Sequence, residues 1–143
     1  MVRDSVTAAT DIRASVEDVW RCLTVGRSAW WPEMRFDAVV GSLLVETWVE
    51  DGRQATAEGT ITQCAQPHLL GFCWTESGWE GSLDVVIELV GHGDSTSVRL
   101  TESGLSRVGT PHSLPSEHEA GWRYHLARLK RASEARAIDV EVP

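Results

Sequence analysis

Apolar and polar residues alternate along most of this chain, and only near its end does the period lengthen. Val6, Ala8 and Ile12 alternate with polar neighbours across Asp4–Arg13, which predicts a first strand. Ser15 and Asp18 then form a helix start, with Val16, Val19, Trp20 and Leu23 following at helical spacing up to Gly26. A second short turn of helix, Arg27–Trp31, is stopped by Pro32. From Arg35 to Ser103 the period is two. Strands are predicted at Arg35–Val40, Leu43–Glu50, Gln54–Cys64, Leu70–Trp74, Leu83–Leu89 and Thr96–Thr101. Asp51-Gly52, Gln66-Pro67, Ser77-Gly78 and Gly91–Asp94 separate them, and Asp51-Gly52 is a strong signal for a tight hairpin.

The last segment changes period. In Ser116–Arg136, Trp122, Leu126 and Leu129 recur at i, i+4 and i+7, with His118 and His125 on or beside that stripe. Ser116 and Glu119 match a capping box. A helix of that length is a rod of roughly 30 Å, enough to cross a small domain. Gly104–Pro115 reads as the loop that carries the chain back over the sheet, and Ala137–Pro143 as a short tail.

Successive strands with short turns imply an antiparallel sheet with one wet face and one buried face. The buried face needs a cover, and the last helix is the available one. The expected fold is therefore α+β: a curved antiparallel sheet of about six or seven strands gripping a long C-terminal helix, with two short helices after the first strand. Residues 1–143 suit one domain. Ala55, Ala57 and Gly59 on one face of their strand predict room above the sheet, between it and the helix.

Composition narrows the function. A net charge of −8 disfavours nucleic acid, which needs clustered Lys and Arg. No apolar run is long enough to insert in a membrane, and no leader-like segment opens the chain. Three cysteines, Cys22, Cys64 and Cys73, are odd in number and lack metal-site spacing, so reduced thiols and a cytoplasmic location are expected. Cys22 and Cys73 fall in apolar elements and read as inert. Seven tryptophans in 143 residues are many; they fill a core or wall an apolar pocket.

No nucleotide-binding glycine motif, phosphate loop or nucleophile elbow is present, and no cofactor is expected. His118 and His125, seven helical residues apart, are separated by roughly 10 Å along the axis, too far to share an ion, so no metal is expected. The expected ligand site comprises Trp30, Trp31, Trp48, Phe72, Trp74, His118, Trp122 and His125, with the imidazoles fixing the polar end of a small hydrophobic or aromatic molecule. Trp30-Trp31 serves either as a plug beside the short helices or as a gate to that site. Glu46 and Glu102 read as solvated strand residues, with an acid–base role open to them only if they face the cavity. Arg99 reads as a solvent-face residue.

Five pieces in order carry a family resemblance. They are Ala14-Ser15-Val16-Glu17-Asp18-Val19-Trp20-Arg21-Cys22-Leu23; the double Trp30-Trp31; Gly59 with Pro67, Leu70, Phe72 and Trp74; Thr96, Val98, Leu100, Thr101 and Gly104; and His118, Gly121, Trp122, Leu126 and Leu129. Together they resemble the helix-grip superfamily of START-related domains, polyketide cyclases and the birch-pollen allergen. Within it they resemble the branch of the activator of the heat-shock-protein-ninety ATPase. The resemblance implies the fold above and a cavity between sheet and last helix. Three roles follow as expectations: a small-molecule binding protein, a cyclase or lyase using a cavity His or carboxylate, and a co-chaperone-like interaction module, in each case a monomer or homodimer.

Overall fold

The computed structural model describes residues 3–109 and 114–141. Strand β1 (Ser5–Ile12) leads into helix α1 (Val16–Leu23), a single 3-10 turn (Arg27–Ala29) and the two-residue strand β2 (Met34–Arg35). Five longer strands follow: β3 (Leu43–Glu50), β4 (Arg53–Ala65), β5 (Leu69–Glu76), β6 (Leu83–His92) and β7 (Ser95–Ser103). Helix α2 (Leu114–Glu141) ends the described chain. The strands form one curved antiparallel sheet in the order β1-β7-β6-β5-β4-β3-β2, as the alternation predicts.

Local chemistry explains the joints. Ser15 Oγ accepts the Asp18 N–H at 3.2 Å and caps α1, whose Val16, Val19, Trp20 and Leu23 are buried. Asp51 and Gly52 both adopt positive φ, 51° and 76°, the conformation that a two-residue hairpin turn demands.

The inner face is set by register. One row across the sheet reads Ile61, Phe72, Val85, Glu102 and Val6. The next row toward the open end reads Leu44, Gly59, Trp74 and Leu83, and the one beyond it Glu46, Ala57 and Glu76. Trp122, Leu126 and Leu129 of α2 cover this face, all buried.

Five expectations are corrected. The strand predicted at Arg35–Val40 is only Met34–Arg35. Val39 and Val40, whose apolar side chains suggested a continuation, lie in a turn and are exposed. The small residues of β4 do not simply leave room. A Cβ on Gly59 would stand 1.7 Å from the Cys73 carbonyl oxygen, so glycine permits the close approach of β4 and β5. Helix α2 begins at Leu114, so Ser116 is already inside its first turn and caps nothing; Glu119 instead pairs with Arg3 and Arg123. Pro115 suggested a loop, but the first turn of a helix needs no N–H from it. Ala137–Glu141, expected as tail, continues α2.

Candidate functional site

At the centre of the inner face lies a carboxylate. Glu102 continues the buried series Thr96, Val98, Leu100 of β7 and is 0% exposed, which overturns its reading as a solvated residue. Burying a carboxylate is costly unless donors surround it, and three do. Trp74 Nε1–H donates to Oε2 at 2.8 Å, and Trp122 Nε1–H donates to Oε1 at 3.0 Å. His118 Nδ1 lies 2.6 Å from Oε1. Indoles only donate and a carboxylate only accepts, so the imidazole contact is read as Nδ1–H donating. That fixes the ring and leaves Nε2 as its free nitrogen.

His118 is the outermost member, with its side chain 17% exposed. Burial pushes its pKa down, but the bond and charge of Glu102, with Glu76 and Glu117, outweigh this and raise it above 6.5. Facing it from the sheet, Glu46 is half-buried and accepts from Trp31 Nε1–H at 2.9 Å. Burial, reinforced by Glu33 and Glu76, raises Glu46 to about 7 against the pull of Trp31 and His118. Its solvated reading is overturned too. Glu76, in the same row across Ala57, is also raised by burial, with His118 opposing.

Aromatic rings fill the space beneath. Trp31 meets Trp122 edge-on at 5.7 Å between centroids, Trp74 lies 5.6 Å from Trp122, and Phe72 is edge-on to Trp74 at 5.8 Å. His125 stacks on Trp31 at 4.0 Å. Burial, with Arg128, depresses His125 to about 4 and holds it neutral. Its Nδ1 is buried and has no hydrogen-bond partner among the described residues.

Of the eight residues expected at the site, Trp31, Phe72, Trp74, His118, Trp122 and His125 come together. Trp30 does not: it is buried toward α1, donating from Nε1 to the Cys22 carbonyl at 2.7 Å. The two rings of the double Trp thus face different partners, Cys22 for Trp30 and Glu46 for Trp31. Trp48 is half-buried on the inner face beyond Glu46 and borders a shallow cleft with Glu33, Thr47, Val49 and Gln54. Sequence reasoning missed Glu76 and Trp79. Glu76 has the inward parity of Leu70, Phe72 and Trp74. Trp79 follows β5 in a turn, where no period marks it, and its ring lies 6.0 Å from that of His118.

Elsewhere, a cleft of about 730 Å³ opens between α1, the segment after β2 and Arg136 of α2, lined by Asp18, Trp20, Arg27 and Phe36. Arg27 is held there by the carbonyls of Met34, Thr24 and Phe36. Among the described residues, no group of three His, Cys, Asp or Glu is placed to hold a metal ion. No described helix is long and apolar enough to cross a membrane.

A model of the family described as activator of Hsp90 ATPase homolog 1-like protein matches residues 13–134. No curated protein matches the chain. Among solved structures, DynU16 from the dynemicin biosynthetic locus is 23% identical with a TM-score of 0.75 over 94% of this chain and 49% of its own. This chain therefore spans about half the length of DynU16. CalU16 from Micromonospora echinospora is 22% identical, TM-score 0.70, over 95% of this chain and 80% of its own. The solution structure of the Aha1 dimer from Colwellia psychrerythraea is 21% identical, TM-score 0.72, over 92% and 97%. At these identities the likeness is one of fold.

Proposed function

We propose a ligand-binding role for this chain, which belongs to the family of activator of Hsp90 ATPase homolog 1-like proteins. The ligand is a small, flat, largely apolar molecule with one hydrogen-bonding group. It rests at the open end of the sheet–helix sandwich, where Glu46, Trp48, Glu76, Trp79 and His118 are partly exposed above the buried aromatic cluster. The observation that carries this reading is the anchoring of His118. A buried carboxylate, itself held by two indole N–H donors, fixes one imidazole nitrogen, so the other is a pre-oriented polar handle beside aromatic surface. Calorimetric titration with naphthylethanol tests it. Saturable one-to-one binding that weakens at least tenfold in Trp79→Ala and in His118→Ala is expected; unchanged binding in both variants would place the ligand elsewhere.

The 2.6 Å Glu102–His118 contact favours a second reading in the same site, acid–base chemistry of the cyclase or lyase type. A carboxylate behind an imidazole holds the tautomer and stabilises the imidazolium formed when Nε2 takes a proton from a bound carbonyl compound. This reading requires turnover that rises as His118 loses its proton and disappears in His118→Asn. A ligand that is bound and returned unchanged contradicts it.

A further inference from the structure

We infer that the cleft between α1, the segment after β2 and the end of α2 is a second binding site, for a small hydroxylated oxyanion: a sugar-like molecule bearing a phosphate or a carboxylate. Arg27 is the residue that receives the oxyanion. The cleft is separate from the rim site above, and neither needs the other.

Three observations support it. First, Arg27 is fixed and still has donors to spare. A guanidinium carries five N–H groups. Nε–H donates to the Met34 carbonyl at 2.6 Å, and Nη1 donates to the carbonyls of Thr24 and Phe36, each at 3.2 Å. The Phe36 ring centroid lies 4.5 Å from the guanidinium carbon. The two N–H groups of Nη2 have no partner among the described residues. Second, the charge of Arg27 has no counter-ion in contact. The chain carries 21 Asp and Glu against 13 Lys and Arg, yet none of the ion pairs among the described residues includes Arg27. Burial pulls its pKa below the usual arginine value, and Asp37 opposes this without touching it. A half-buried cation bonded only to neutral carbonyls gains from an anion that supplies both charge and acceptors.

Third, an indole donor opens on the same space. Trp20 lines the cleft and is 4% exposed. Among the described residues its Nε1–H has no acceptor, and it is not one of the fully enclosed unpartnered atoms, which are His125 Nδ1 and Ser133 Oγ. The cleft is the space that Trp20 borders, so this N–H is a second donor to it. The remaining lining sets the other half of the ligand. Arg21 and Arg136 stand at the rim, Arg136 shared with Asp18 at 3.4 Å. Glu17, Asp18 and Asp37 border the cleft as acceptors, which suits ligand hydroxyls and disfavours a bare polyanion. A volume of about 730 Å³ admits a molecule of sugar phosphate size.

The test is calorimetric titration, with indole N–H NMR, using glucose 6-phosphate, gluconate and sorbitol at neutral pH. At least one of the two anions is expected to bind one-to-one, roughly tenfold more tightly than sorbitol, and to move the Trp20 indole while Trp79 stays in place. The tighter anion tells phosphate from carboxylate. Arg27→Gln should weaken that anion about tenfold. Because Arg27 also ties three carbonyls together, Asp37→Asn is the second variant. Asp37 is exposed, and removing its charge should tighten the anion about threefold and leave sorbitol unchanged. Anions that bind no more tightly than sorbitol, a Trp20 indole that stays in place, or an anion affinity unchanged in Asp37→Asn would overturn the inference. Each of these outcomes leaves the rim site standing, since that site is read with naphthylethanol and Trp79.

Discussion

Replacing Glu102 with Gln changes one atom at the centre of the inner face, and its cost follows from the donors around it. The carboxylate serves three donors within 3.0 Å and touches no solvent. An amide keeps one acceptor oxygen and gains two N–H donors. If the oxygen faces Trp122 and His118, the new NH₂ opposes the Trp74 indole N–H. If it faces Trp74, the NH₂ opposes the other two. At least one buried donor is therefore left without an acceptor, at about 1–3 kcal/mol, and the surviving bonds lose their charge. The total is about 3 kcal/mol, at the lower end of what breaking a buried ionic contact costs. In a domain of this size that lowers Tm by about 10 °C. Differential scanning calorimetry reads the shift. The sign of its pH dependence is fixed by His118. A folded pKa raised above 6.5 contributes stability that is fully present below 6.5 and is lost as pH rises through the folded value. The gap between wild type and Glu102→Gln should thus be widest below 6.5 and narrow as pH rises through that folded value. Imidazole NMR should find His118 of the variant titrating lower than in wild type, since burial remains and the bond and charge of Glu102 are gone, with Glu76 and Glu117 alone left to raise it. Trp74→Phe, which removes the donor that the amide oxygen cannot serve, should make the Gln substitution less costly in a double-mutant cycle. A Tm within about 2 °C of wild type, with His118 titrating as before, would refute the reasoning.

Other consequences follow from the same geometry. The rise of Glu46 from 4.5 to about 7 means that its contribution is present below 4.5 and lost as pH rises through 7, a change of about 3 kcal/mol. Urea denaturation of Glu46→Gln, whose amide oxygen still accepts from Trp31, should show the variant gaining that much on wild type across the interval; parallel curves would contradict it. His125 runs the other way: with a folded value of about 4, its contribution is present above 6.5 and lost as pH falls through 4. His125→Phe should therefore gain on wild type by about 3 kcal/mol between 6.5 and 4, and equal acid sensitivity of the two proteins would refute the burial argument. Gly59→Ala forces a methyl into the Cys73 carbonyl and should cost about 3 kcal/mol in a thermal melt, whereas Gly121→Ala, where nothing stands within 4 Å, should not destabilise the helix.

The sheet was legible because its period is two almost throughout, and α2 because Trp122, Leu126 and Leu129 share one face. The same period carried Glu46, Glu76 and Glu102 inward. Each continues an apolar series by two residues, Leu44 to Glu46, Trp74 to Glu76 and Leu100 to Glu102. Charge suggested solvent at Glu46 and Glu102, while strand parity was the better guide. That Glu102 is buried with donors, and which donors, depends on bringing β5, β7 and α2 together, and no local pattern holds that information. Trp79 lies in a turn whose path is set by tertiary packing. The split of Trp30 from Trp31 follows from the 3-10 turn, which directs neighbouring rings to different partners, Cys22 for one and Glu46 for the other.

The most direct test of the central claim, a ligand site at the rim above the Glu102–His118 anchor, is a two-dimensional NMR titration of the seven indole N–H groups with naphthylethanol. The account predicts saturable shifts for Trp79 and Trp48 and a smaller one for Trp31, with Trp20 and Trp30 unmoved. Shifts centred on Trp20, which lines the large cleft beside α1, or no saturable shift in any indole, would contradict it.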